Sequence, residues 1–150
     1  MDKRTAIGEV ESAFQELLGV VEGLDDRAMS RVFYGTWCAK DILAHIAGWQ
    51  IEMTGALERM ARGERPTPEG VDYSDADSWN AKFAAGARVQ NASTIIAGLK
   101  QSFANYIRAA AALPEDRFGE GKTVNRLLET SGYGHYREHL PPLRELKGGA

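Results

Sequence analysis

Apolar residues return every three or four positions along most of this chain, and that period restricts it to packed helices. Ile7, Val10, Phe14, Leu17 and Val21 fall on one stripe of a helix predicted over about Lys3 to Glu22, which Gly23 ends. A short helical piece is expected around Asp25 to Ser30. Ile42, Leu43, Ile46, Trp49, Met53, Leu57 and Met60 form the stripe of a second long helix, about Ala39 to Arg62. Asp41, three residues after Cys38, takes the acceptor position of a capping box whose usual hydroxyl is replaced by a thiol, so a weak cap is expected. Gly63, Pro66, Pro68 and Gly70 cannot continue the helix, and a long loop is predicted over about 63–74.

Asp75 or Asp77 can cap a third helix that contains Trp79 and Phe83. Beyond Asn91, the series Ile96, Leu99, Phe103, Tyr106, Ala110 and Leu113 keeps the helical period. This helix is predicted over about Asp75 to Ala112, with a break near Asn91 to Ser93. After Pro114, Gly119 and Gly121, Thr123 caps a last helix carrying Leu127, Leu128, His135, His139 and Leu143, which Pro141 and Pro142 should kink or end early. No apolar run requires a strand. The expected fold class is therefore all-α, a four-helix bundle that makes one domain of residues 1–150.

The 18 basic and 21 acidic residues are interspersed, giving a formal charge of −3 with no basic stripe, which argues against nucleic acid as a partner. No stretch approaches the roughly 20 apolar residues that span a bilayer. The opening MDKRTAIGEVESAF also lacks the apolar core of a signal peptide, so no membrane partner and a cytoplasmic location are expected. Cys38 is the only cysteine, which excludes an internal disulfide and a cysteine-rich metal site. Any metal must be held by nitrogen and oxygen.

His135 and His139 lie at i and i+4, so on a helix their rings share one face and can share one metal ion. His45 falls within the apolar stripe of the second helix and meets that pair only across the bundle. Histidines at such places are also found as hydrogen-bonded core residues, and spacing alone leaves both readings open. The stretch His135-Tyr-Arg-Glu138-His139 matches the H-x-x-E-H pattern of one class of zinc peptidase, but the 11 residues after His139 offer no distant third ligand, so Glu138 is read as a solvent-facing helix residue. Asp41 and Glu52, at i−4 and i+7 from His45, either orient a ligand or serve as a cap and a solvated charge. Trp49, Glu52, Tyr133 and Tyr136 are the candidates for a pocket wall, and the 63–74 loop is expected either to cover the pocket mouth or to join a homodimer contact.

Trp37, Cys38, Ala39, Lys40 and Asp41, followed by Ile42, Leu43, Ala44 and His45, resemble the opening of the second helix in the DinB-like superfamily. The segment Tyr133, Gly134, His135, Tyr136, Arg137, Glu138, His139 resembles the histidine-bearing last helix of the same superfamily, and the helix order fits along the whole chain. Cys38 departs from the usual hydroxyl. The resemblance implies up-down-down-up connectivity and a divalent metal, zinc or nickel, on His45, His135 and His139. It is divided on activity. Some members are thiol-dependent S-transferases or mycothiol-dependent maleylpyruvate isomerase domains using mycothiol, bacillithiol or glutathione, and others have no assigned reaction.

Three neutral imidazoles leave a cation its full charge and an open position, the arrangement of a catalytic site. The first expectation is thus a metal-dependent thiol S-transferase or isomerase acting on a small molecule with a low-molecular-weight thiol. The second is a non-catalytic, stress-associated or ligand-binding bundle in which the metal is structural or absent.

Overall fold

Each long apolar stripe becomes a helix in the computed structural model, which describes residues 1–148. Helix α1 (Lys3–Val21) starts at Asp2, whose carboxylate accepts the Thr5 N–H at 2.8 Å, and it buries Val10, Ala13, Phe14, Leu17 and Val21. Helix α2 (Asp26–Ser30) is a single capped turn, and α3 (Ala39–Ala61) is the longest element. Helix α4 (Ala76–Ala84) and helix α5 (Ala92–Ala111) follow, joined by a 3-10 turn at Ala87–Val89. The chain closes with α6 (Thr123–Leu128), a π turn at Glu129–Tyr133 and α7 (Gly134–Gly148). The all-α expectation holds: among the described residues there is no strand, only an isolated bridge between Tyr34 and Trp37.

Two boundaries depart from the sequence reading. The predicted third helix is two helices, because Ala85 leaves helical geometry and Gly86 takes φ 80°, a left-handed conformation that suits glycine. The break falls a few residues before the predicted one, and α4 ahead of it buries no residue fully. Pro141 and Pro142 do not end the last helix, which runs on to Gly148. The prolines withhold their donors from the carbonyls of Arg137 and Glu138, and both of those residues are exposed, so water can take the vacated acceptors.

The core lies where α1 packs against α7, the π turn and α5, and where α3 packs against α5. The Phe14 ring stacks on Phe103 at 3.7 Å, and Tyr136 tilts against both. Phe14 is buried and Phe103 only half-buried. A buried polar relay crosses this core: Tyr136 donates to Gln50 at 2.6 Å, Gln50 donates to Ser102 at 2.6 Å, and Ser102 donates to the Leu99 carbonyl. Helix α4 leans on α3 at Gly48, where a Cβ would lie 2.2 Å from the Phe83 ring, so only glycine admits that approach. No helix among the described residues is long and apolar enough to cross a membrane.

Candidate metal centre

Nearly two helical turns into α3, His45 points across the molecule at the pair on α7. The three imidazole rings sit at mutual centroid distances of 4.8, 4.9 and 5.0 Å. One ring nitrogen from each lies within 4.8 Å of the others, so the three could hold a metal ion. The Nδ1–H of His45 donates to the Ile42 carbonyl at 2.6 Å, an assignment that leaves its Nε2 lone pair facing His135 Nε2 at 3.0 Å. All three side chains are buried, yet Nδ1 of His135 and Nδ1 of His139 have no hydrogen-bond partner.

Charge follows from that burial. Loss of water pushes His45 down to about 4, with His139 adding repulsion, and pushes His135 down to about 3, with His45 and His139 adding. Burial lowers His139 too. At neutral pH the cluster is uncharged and rich in nitrogen lone pairs, and two of its nitrogens are unsatisfied. A donor set of this kind fits a divalent transition metal better than it fits a core of ordinary hydrogen-bonded histidines.

Local sequence explains how the rings are held. Trp37 packs on His45 at 4.8 Å from a tight turn, Tyr34 to Trp37, in which Gly35 takes φ 61°. Arg88 ties that turn down by donating to the Thr36 carbonyl and, at 3.0 and 2.8 Å, to the Asp41 carboxylate. Asp41 also accepts from the Cys38 N–H at 2.9 Å and from its thiol at 3.3 Å. Burial raises the Asp41 carboxyl, and the hydrogen bonds from Arg88 and Cys38 outweigh it and hold it below the usual carboxylate range. Asp41 is thus a cap and ion-pair residue, and the helix start expected to be weak is reinforced by an arginine 47 positions away in the chain.

On the opposite side, the π turn sets the register from which His135 and His139 project. A Cβ on Gly134 would meet the Glu129 carbonyl at 2.5 Å, and Gly132 departs from helical geometry with ψ −113°, so both glycines permit the bulge. The sequence reading ran a continuous helix through this segment. Its two glycines, spaced by one residue, were the available signal.

A cavity of about 840 Å³ opens beside the three histidines. Trp49 lines it, as expected, with its N–H donating to Asn80 at 2.6 Å. The other wall assignments need correction. Tyr136 is fully buried in the core, because it follows His135 by one residue and therefore points about 100° away on the helix. Tyr133 is half-buried and lies under Arg137. Glu52 sits behind the wall, accepting from the Tyr73 hydroxyl at 3.1 Å, and Tyr73, from the end of the 63–74 loop, takes the wall position instead. Tyr34, Trp37, Asp77 and Asn80 were missed as lining residues; Glu138, exposed as expected, also reaches the cavity edge.

No family model and no curated protein matches the chain. Solved structures do. The colibactin self-resistance protein ClbS, in complex with a dsDNA, superposes with a TM-score of 0.84 at 16% identity, covering 97% of this chain and 95% of that one. The sibling lethal factor precursor DfsB gives 0.83 at 16% identity, covering 99% and 96%. A Streptococcus pneumoniae protein gives 0.81 at 13% identity, covering 99% and 91%. Likeness at such identities shows a shared fold and nothing of activity. It does overturn one expectation, that nucleic acid is excluded as a partner: a protein of this fold is seen with duplex DNA. Interspersion of the basic residues along the sequence does not report which of them the fold gathers on one face, so the lack of a basic stripe was too blunt a ground for that exclusion.

Proposed function

We propose that this chain is a DinB-like four-helix bundle, up-down-down-up, that holds one divalent transition metal, zinc or nickel, on His45, His135 and His139. In this reading it acts in the cytoplasm as a thiol S-transferase or isomerase on a small molecule. The observation that carries the proposal is the convergence of one ring nitrogen from each of the three buried histidines to within 4.8 Å of the others, with the His45 tautomer fixed by the Ile42 carbonyl. A divalent cation on three neutral imidazoles supplies an electrophilic position that favours a thiolate or hydroxide at neutral pH. The chain's own part is to orient and to dry the site. Trp37 holds the His45 ring, the Ile42 carbonyl holds its tautomer, and the cavity beside the rings is walled by Trp49 and Tyr73.

Untagged protein should purify with, or take up, one metal ion per chain. Supplied with a low-molecular-weight thiol and an electrophile, it should consume the thiol at a rate that chelation abolishes. If metal-saturated, folded protein consumes no common thiol with any electrophile, the non-catalytic ligand-binding bundle replaces the transferase reading.

The dsDNA complex of ClbS favours a second reading, in which the surface of this fold engages duplex DNA. Fluorescence anisotropy of a labelled duplex tests it: binding that weakens steeply between low and moderate salt supports it, and no binding at low salt removes it.

A further inference from the structure

The cavity beside the histidines is lopsided in its chemistry. Two carboxylates stand on it, Asp77 from the first turn of α4 and Glu138 from α7, while no lysine or arginine lines it. Neither carboxylate has an ion-pair partner among the described residues. Part of the wall's capacity to donate hydrogen bonds is already used. Thr130 donates to the Arg126 carbonyl at 2.9 Å, and Ser131 to the Leu127 carbonyl at 2.7 Å. Tyr73 donates to Glu52, and the Trp49 N–H to Asn80. What the wall offers a ligand is aromatic faces, the neutral donors of Tyr34, Thr36, Trp37 and Asn80, and two carboxylates without an ion-pair partner, so the only formal charges it presents are negative.

Aromatic faces attract flat apolar frames and cations, and unpaired carboxylates attract donors that carry positive charge. An anion entering here would meet two negative groups at the edge and find no cation of the protein to receive it. The volume, about 840 Å³, suits a drug-sized molecule. The deep end is lined by His135 and His139, which are more than nine-tenths buried and each keep a nitrogen without a partner.

We propose that this cavity selects a small molecule bearing a protonated amine on a flat, largely apolar frame, and discriminates against anions of the same shape. The inference rests on the reading that the cavity beside the three histidines is the working site. It adds the charge class of the substrate.

Three probes of one shape test it by calorimetry: naphthylmethylamine, naphthylmethanol and naphthoate, each titrated into metal-free and zinc-loaded protein. On metal-free protein the amine should bind on the order of tenfold tighter than the alcohol, and naphthoate weakest. The double variant Asp77→Asn, Glu138→Gln should bring the amine's affinity down to that of the alcohol while the alcohol's own affinity is unchanged. Equal affinities, a preference for naphthoate on metal-free protein, or no binding of any probe would overturn the proposal. Zinc uptake is measured on the same samples. Amine preference without zinc uptake removes the metal reading and leaves this one, whereas zinc uptake without amine preference does the reverse.

Discussion

Two polar clusters lie four residues apart on α3, and they are built on opposite principles. At the helix start, buried Asp41 accepts from the Cys38 backbone, the Cys38 thiol and Arg88, and buried Lys40 donates to the Gln90 carbonyl and pairs with Asp26 at 3.1 Å. Every charged group there has a partner. One turn later His45 joins His135 and His139, and in that cluster two ring nitrogens have none. Burial of polar groups is costly in both places, but only the first cluster recovers the cost from protein atoms. The contrast separates a polar cluster whose needs the chain itself meets from one that leaves two buried nitrogens open.

Acid should separate the two most strongly. The folded-state values of His45 and His135 lie at about 4 and about 3, below the roughly 6.5 of an unfolded imidazole. Between those limits the unfolded chain binds more protons, so metal-free protein is fully stable above pH 6.5 and loses stability as the pH falls toward 4. From pH 7 to pH 5 each of these two imidazoles should cost about 2 kcal/mol, read from urea melts at stepped pH. The Asp41 carboxyl, held below its usual 3.8, acts in a different window, and its contribution should persist until the pH falls below about 4. A stability curve flat from pH 7 to pH 5 would mean the histidines are not buried as described.

Substitution gives smaller effects. Asp41→Ala strips the α3 cap and leaves Arg88 unpaired, and since Arg88 is half exposed and can turn to water, the loss should be about 2 kcal/mol rather than the larger cost of a fully buried pair. The variant should take up zinc as the wild type does, because no histidine depends on the Asp41 carboxylate for a hydrogen bond. His139→Ala makes the opposite case. It removes a buried nitrogen that has no partner and opens onto an existing cavity, so metal-free stability should change by less than about 1 kcal/mol. A large loss on His139→Ala in metal-free protein would place that ring among the structural groups and erase the contrast.

How much of this was legible beforehand follows from range along the chain. The apolar stripes of α1, α3 and α5 could be read because helical period is a local property, and Ile42, Leu43, Ile46 and Leu57 are all fully buried as their spacing required. The i,i+4 pair on α7 was legible for the same reason. The wall was not. Tyr34, Trp37 and Asn80 reach the cavity through a tight turn, an ion pair to Arg88 and the lean of α4 over Gly48, none of which leaves a periodic trace. Tyr136 adjoins His135 in sequence, but one residue along a helix is a rotation of about 100°, which carries its ring away from the cavity and into the core. The exclusion of nucleic acid failed because the order of charges along the sequence does not tell which of them the fold brings to one face.

Zinc affinity measured by chelator competition on the wild-type chain and on His45→Ala, His135→Ala and His139→Ala tests the central claim most directly. If the three rings converge on one ion, the wild type binds one zinc per chain, and each single substitution weakens binding by on the order of a hundredfold or more while circular dichroism shows the helices intact. Wild-type stoichiometry and affinity in His45→Ala would contradict the account, because the α7 pair would then bind zinc without the ring that reaches them from α3.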